Sequence, residues 1–117
     1  SFEKGKHMGN YLLSLKNRPD AVFAITDSAA IGVIKALNTF KVKIPEEIAV
    51  VGFSNSMNCK MVSPELSSVE QPGDKIGRTA LRSIIEEIEN PNKDIFSKTI
   101  EIKTHLKIRE SSFSQSS

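Results

Sequence analysis

Two short apolar runs alternate with amphipathic helical patterns along this 117-residue chain, and this alternation constrains the fold more than any other feature. The runs are AVFAI (Ala21–Ile25) and IAVVGF (Ile48–Phe53). Each is bounded by turn-forming residues and is apolar throughout, which is typical of a strand buried on both faces. Chains that alternate strands and helices form α/β folds with a mainly parallel sheet. The sequence therefore predicts a three-layer αβα architecture.

Three helical patterns surround these strands. The first ends before Pro19 and has an apolar face formed by Phe2, Met8, Tyr11, Leu12 and Leu15. The second begins where Asp27 or Ser28 can cap it by accepting a backbone N–H, and its inward stripe is formed by Ala30, Val33, Ile34 and Leu37. The third is a long amphipathic helix that begins at Asp74 and ends at Asn90.

The remaining chain predicts shorter elements. A short helix carrying two methionines follows the second strand, and a brief extended stretch covers 66–71. Apolar residues alternate between Thr99 and Ile108, which indicates strands with one face covered. The serine-rich end SSFSQSS (111–117) is typical of a frayed tail, so we expect the fold to end near residue 112.

The composition excludes several functional classes. Sixteen Lys and Arg against fourteen Asp and Glu give a net charge of +2, without the basic excess of a dedicated nucleic-acid binder. No apolar run reaches the length of a membrane span, and the first ten residues lack the apolar region of a signal peptide. The single cysteine, Cys59, excludes an internal disulfide and has no neighbouring Cys or His for a metal site. We therefore expect a cytoplasmic protein without a metal or cofactor.

Polar residues follow both predicted strands. Thr26 and Asp27 come after the first strand, and Ser54 and Asn55 come after the second. Right-handed crossovers place the carboxyl ends of parallel strands at one edge of the sheet, where α/β proteins bind their ligands. Asp27 is also typical of a helix cap, and Ser54 and Asn55 of caps for the following helix.

Four blocks in order carry a resemblance to a known family: RPDAVFAITDSAAIGVIKAL, IPEEIAVVGFSN, SPELSSVEQP and IGRTA. Together they resemble the C-terminal half of the effector-binding core in lactose-repressor-type (LacI/GalR) transcription regulators, from about Ser1 to Ser112. The resemblance implies one lobe of a type I periplasmic-binding-protein fold, in which a ligand binds between two lobes joined by three crossovers. It implies that residues 1–112 form most of the second lobe together with the last crossover, and that 113–117 are a disordered tail. DNA would be bound only through a helix-turn-helix domain outside this chain.

The resemblance also assigns roles to particular segments. Residues about 67–72 would form the last crossover, and the helix over about 73–90 would pack with the first lobe. Family members commonly place Asn, Asp and Gln around the ligand, and this chain has Thr26, Ser54 and Gln71 at the matching positions. The two shorter hydroxyl residues disfavour a standard pyranose ligand, although the longer polar side chain of Asn55 can form a hydrogen bond to the ligand. Gln71 can equally be a solvated crossover residue.

The resemblance also implies that a second set of residues takes part in dimerisation. In the resembled family, the helix after the first strand and the segment after the second form a homodimer interface. The matching apolar residues here are Ile31, Met57, Met61 and Val62. Compact patches of Met and aliphatic residues are typical of oligomer interfaces, whereas the alternative is that these residues belong to the local core.

The sequence thus predicts a non-enzymatic binding module: the ligand-sensing and dimerising part of a transcription regulator with a small sugar-like effector. One alternative is a periplasmic sugar-binding receptor for uptake. A remote alternative is a receiver-like phospho-acceptor domain using Asp27, but a neighbouring acidic pair for magnesium and a later strand-end lysine do not occur at suitable positions.

Overall fold

The computed structural model describes residues 1–91 and 99–113. Residues 114–117, within the predicted tail, and 92–98 lie outside the described part. The chain divides into two compact units, the described residues of 1–70 with 105–117 and those of 71–104. The elements are α1 (Phe2–Ser14), β1 (Ala21–Phe23), α2 (Asp27–Thr39), β2 (Ala49–Phe53), a 3₁₀ turn (Met57–Lys60), β3 (Ser67–Glu70), α3 (Gly73–Glu89) and β4 (His105–Lys107).

The first unit is built on a four-stranded sheet in the order β1-β2-β3-β4. β1 pairs with β2 and β2 with β3 in parallel, with Phe23 opposite Val51 and Phe53 opposite Val69. β4 runs antiparallel to β3 and places Leu106 opposite Val69. The predicted α/β fold with a mainly parallel sheet is therefore confirmed.

Only one face of this sheet is buried within the first unit. Along β2, Val50 and Gly52 are buried, whereas Val51 and Phe53 on the opposite face are half-buried. On β1, Phe23 is 59% exposed. The prediction of strands buried on both faces is wrong here, because α2 covers one face and α1 packs against α2. Among the described residues of this unit, the expected second helical layer is not formed.

The core lies between α2 and the sheet. The predicted stripe of α2 is confirmed, since Ala30, Val33, Ile34 and Leu37 are all at most 2% exposed. They pack against residues from the strands and loops, namely Val42, Ile48, Val50, Cys59 and Leu66. Each fully buried aliphatic side chain contributes roughly 1.5–3 kcal/mol through removal of apolar area from water. This core positions the amino end of α2 beside the carboxyl ends of the strands.

The packing of α1 differs from the prediction. Its buried positions are Gly5 and Gly9, whereas Met8 and Tyr11 on the predicted apolar face are 49% and 54% exposed. A Cβ atom built on Gly5 would lie 2.0 Å from the Ala29 carbonyl oxygen. The two helix backbones therefore approach too closely for side chains at this contact. Hydrophobic periodicity cannot reveal such a face, because glycine carries no apolar side chain.

The second unit contains α3, which is amphipathic but has no buried residue. It begins at Gly73, one residue before the predicted start, and ends at Glu89. Its exposed apolar residues are Ile76, Leu81, Ile84, Ile85 and Ile88. The packing of this helix with another lobe stays a prediction.

Ser111 and Ser112, which follow β4, belong to the fold. Ser111 is fully buried, and its hydroxyl donates to the Val50 carbonyl oxygen at 2.5 Å while accepting from the Ser67 N–H at 2.8 Å. The Val50 N–H in turn donates to the Ser111 carbonyl oxygen at 2.9 Å. The expectation that Ser111 and Ser112 begin a frayed tail is therefore wrong, because their hydroxyls bond to buried groups of β2 and β3.

Candidate functional site

The carboxyl ends of β1 and β2 lie at the same edge of the sheet, because the two strands are parallel and in register. Thr26 and Ser54 follow these ends, and both are exposed. The sequence-based expectation that the two hydroxyl residues share an edge therefore agrees with the topology. Gln71 directly follows β3 in the chain, is exposed, and is the first residue of the second unit.

Thr26 is the cap of α2. Its backbone is extended, and its hydroxyl oxygen accepts a hydrogen bond from the Ala29 N–H at 3.1 Å. The prediction that Asp27 or Ser28 caps this helix is therefore wrong by one or two positions. A threonine hydroxyl has one donor and two acceptor lone pairs, and the cap uses one lone pair. Among residues 1–91 and 99–113, the Thr26 hydroxyl makes no other hydrogen bond.

Asp27 is buried at this edge and forms hydrogen bonds to two neighbouring segments. It is only 4% exposed, and its Oδ2 accepts from the Ser56 N–H at 2.6 Å while its Oδ1 accepts from the Ser68 hydroxyl at 2.6 Å. A Cβ atom on Gly52 would lie 2.5 Å from the Asp27 Oδ1, so glycine makes room for this carboxylate. Because both oxygens bond within the chain, the geometry gives Asp27 a positioning role. It also removes the exposed carboxylate that a receiver-like phospho-acceptor requires.

The turn after β2 projects Ser54 from the edge of the sheet. Ser54 and Asn55 have φ values of 114° and 53°, in the left-handed region that non-glycine residues rarely adopt. Their backbone N–H groups donate to the Val69 carbonyl oxygen and to the Ser68 hydroxyl, both at 2.9 Å. The alternative in which Ser54 or Asn55 caps the next helix is wrong, because Ser56 occupies the cap position of the 3₁₀ turn.

Arg109 is a member of this region that sequence reasoning missed. Its guanidinium donates through Nη1 to the Leu66 carbonyl oxygen at 2.7 Å and through Nη2 to the Asn55 Oδ1 at 2.8 Å. Arg109 and Asn55 are 54 positions apart in the chain. No local pattern connects them, and the contact becomes visible only when the segment after β4 is placed beside β3.

Cys59 lies beneath the same turn and is fully buried. Burial raises the pKa of the Cys59 thiol above its ordinary value, and the hydrogen bond and charge of Asp27 raise it further. The thiol is therefore kept neutral, which makes it part of the core rather than a reactive group. Within residues 1–91 and 99–113, no three His, Cys, Asp or Glu side chains come close enough to hold a metal ion.

The four predicted interface residues have different environments. Ile31 and Val62 are half-buried against the core, as the local-core alternative requires, whereas Met57 and Met61 are 86% and 76% exposed. The predicted short helix is a single 3₁₀ turn. A groove of about 300 Å³ lies beside it, lined by Phe2, Ser28, Ile31, Asn58, Met61 and Val62. Three of the four predicted residues thus line one groove, while Met57 lies outside its lining.

In the described chain no helix has both the length and the apolar character that crossing a bilayer requires.

Comparison with known proteins gives consistent results. The chain matches the periplasmic binding protein-like domain family over residues 3–112. It is 35% identical over 111 residues to NtdR, a regulator of the NTD biosynthesis operon from Bacillus subtilis, with 95% of this chain and 33% of NtdR covered. It is 32% identical over 109 residues to the transcriptional repressor PurR of Salmonella arizonae, with 93% of this chain and 31% of PurR covered. The chain thus spans about a third of the length of these relatives.

Solved structures agree with this result. A LacI family transcriptional regulator from Lactobacillus casei, solved with bound glucose and with bound sucrose, superimposes with a TM-score of 0.78 at 30% identity in both cases. The match covers 96% of this chain and 40% and 41% of the two solved chains. These relatives are regulators rather than enzymes, in agreement with the expected binding module. The chain belongs to the periplasmic binding protein-like domain family, and it corresponds to part of that domain in LacI family regulators.

Proposed function

We propose that this chain is the ligand-sensing and dimerising part of a cytoplasmic LacI-type transcription regulator, and that it binds a small sugar-like effector at the edge formed by Thr26 and Ser54. The observation that supports this most is the arrangement of two exposed hydroxyl residues after neighbouring parallel strands. Ligands of open α/β sheets bind at this edge. Asn55 and Gln71 are the further polar residues proposed to contribute.

The available chemistry favours a ligand rich in hydroxyl groups. The Thr26 and Ser54 hydroxyls can each donate and accept, so they can pair with sugar hydroxyls in either direction. The Lactobacillus casei regulator was solved with glucose and with sucrose, which makes these two sugars the first probes to use. Thr26 and Ser54 stand where the amide and carboxylate that bind a standard pyranose commonly lie, and a hydroxyl binds a sugar less strongly than a carboxylate does, so we expect glucose and sucrose to bind with modest affinity.

The proposed mechanism is a shift between two conformations. An effector that bridges the edge and a second lobe stabilises one angle between the lobes. A dimer converts that angle into the spacing of DNA-reading domains that the full-length regulator carries outside this chain. The effector can shift this equilibrium only by the difference in its affinity for the two states.

Calorimetric titration with glucose and sucrose tests the proposal. Replacing both edge hydroxyls (Thr26→Ala with Ser54→Ala) is expected to weaken binding at least tenfold, because each lost hydrogen bond contributes about 1 kcal/mol. Thr39→Ala is the matched control, since this hydroxyl is exposed and bonds only to its own helix at the Lys35 carbonyl oxygen. Equal affinity in the double variant and the parent would exclude the edge as the binding site.

A further inference from the structure

We infer that Arg109 is the positioning residue of the ligand edge: its guanidinium holds the Asn55 side chain, and so fixes the turn that presents the Ser54 hydroxyl. The inference rests on the proposed function, because it concerns how that site is shaped. Arg109 itself is half-buried and stands behind the turn, bonded to Asn55 rather than exposed at the edge.

The turn needs to be held because its backbone is unfavourable. Two successive non-glycine residues, Ser54 and Asn55, have positive φ. Asparagine tolerates the left-handed region, but serine does so at a cost, and such conformations persist only where the surroundings determine them. The bond from Arg109 acts directly on the Asn55 side chain and can therefore select its left-handed conformation.

Arg109 is suited to this role by its geometry. Its two donating nitrogens reach different elements, the Leu66 carbonyl oxygen before β3 and the Asn55 Oδ1 after β2. The planar guanidinium fixes the angle between these two bonds, so the position of Leu66 determines where Asn55 must lie. A flexible ammonium group cannot transmit position in this way.

The base of the Arg109 side chain is also fixed. Its backbone N–H donates to the Ser67 hydroxyl at 2.6 Å, and two residues later Ser111 is buried against β2 and β3. The guanidinium therefore extends from a rigid segment toward the turn. Rigid support of this kind is what holds a binding group within a fraction of an ångström of its required position.

The turn that contains Ser54 and Asn55 is connected by hydrogen bonds to the Asp27 carboxylate and to the Arg109 guanidinium. Asp27 bonds to the Ser56 N–H and to the Ser68 hydroxyl, the Ser68 hydroxyl accepts from the Asn55 N–H, and Asn55 Oδ1 accepts from Arg109. The carboxylate and the guanidinium are thus connected through neutral groups. Charge-assisted hydrogen bonds at both ends are stronger than bonds between neutral groups, so loss of either end loosens the turn.

Amide hydrogen exchange on the ligand-free chain tests this directly. In Arg109→Gln and in Asn55→Ala, the backbone amides at positions 55 and 56 are expected to exchange at least tenfold faster than in the parent. The Ala24 and Ala49 amides, which join β1 to β2, are expected to change less than twofold.

The variants separate positioning from general stability. Asn55→Ala leaves the Arg109 bond to Leu66 in place, so faster exchange in β1 and β2 that occurs only in Arg109→Gln reports the loss of the Leu66 bond. Arg109→Lys keeps the positive charge but loses the planar pair of N–H donors. The amides at positions 55 and 56 are therefore expected to exchange at a rate between those of the parent and Arg109→Gln. Arg82→Gln removes an exposed arginine of α3 and is expected to change nothing. Parent-like exchange at both turn amides in Asn55→Ala would overturn the inference.

A titration with glucose and sucrose completes the test. The Kd of Asn55→Ala and Arg109→Gln for a sugar that the parent binds is expected to rise at least fivefold, and that of Arg82→Gln to stay unchanged. An unchanged Kd in the first two variants would overturn the positioning role. If the parent binds neither sugar, the proposed function fails for these ligands, while the exchange rates still decide whether Arg109 holds the turn.

Discussion

The residues at the strand ends have two different roles: some are exposed where a ligand can bind, and others hold the turn in place through hydrogen bonds. Thr26 and Ser54 are exposed, whereas Asp27 is buried and bonds to the turn and to β3. The sequence predicted which residues gather at this edge, because parallel strands bring their carboxyl ends together. It did not predict which residue caps α2, since hydroxyl and carboxylate side chains one position apart both make good caps.

At the residue scale, the buried thiol predicts a dependence of stability on pH. The folded pKa of Cys59 is raised above the ordinary value of 9.0, so the folded chain keeps this proton at a pH where the unfolded chain has lost it. Its contribution is complete below about pH 9 and is lost as the pH rises through the folded pKa, at up to about 1.4 kcal/mol per pH unit.

Urea unfolding between pH 7.5 and 10.5 measures this contribution. The parent is expected to lose more stability over this range than Cys59→Ala, which has no thiol to titrate. Parallel loss in both proteins would mean that the thiol titrates equally in the folded and unfolded chains.

Among the elements, hydrophobic periodicity predicted the buried face of α2 but not that of α1. The buried stripe of α2 was predicted correctly, because its aliphatic side chains fill the core. The buried face of α1 was not, because it contains Gly5 and Gly9 and depends on contact with α2 rather than on apolar side chains. Likewise, the pairing of Arg109 with Asn55 depends on tertiary packing and has no local signal.

At the element scale, we expect a Gly→Ala substitution to have opposite effects on stability at Gly5 and at Gly77. Gly5→Ala places a Cβ atom 2.0 Å from the Ala29 carbonyl oxygen and is expected to destabilise the chain by about 3 kcal/mol. Gly77→Ala in α3 has no atom within 4 Å and is expected to stabilise that helix by about 1 kcal/mol.

Urea denaturation followed by circular dichroism distinguishes these two cases. A Gly5→Ala chain as stable as the parent would contradict the close approach of α1 and α2, while the gain in Gly77→Ala serves as the control for helix propensity.

For the whole molecule, the chain spans about a third of the length of its curated relatives, and the proposed dimer contact is tested at this scale. The proposed contact with a second copy consists of Ile31, Met57, Met61 and Val62, of which all but Met57 line the groove beside the 3₁₀ turn. Its exposed residue Met61 can be changed with little effect on the core, unlike Ile31, which packs against it.

Sedimentation equilibrium tests this contact. Met61→Asp is expected to raise the dimer dissociation constant at least tenfold, because it places a charge in an apolar groove. Met8→Asp, on the exposed side of α1 and outside the groove, is the control. A parent that stays monomeric at high concentration, or a dimer that Met61→Asp leaves intact, would contradict the interface.

We expect an effector to bind where β1 and β2 end. A ¹⁵N NMR titration of the chain with glucose and then with sucrose measures this most directly. We expect the largest shifts at the amides of Thr26, Ser54 and Asn55, with little change in α3. Saturating shifts confined to other surfaces would contradict it.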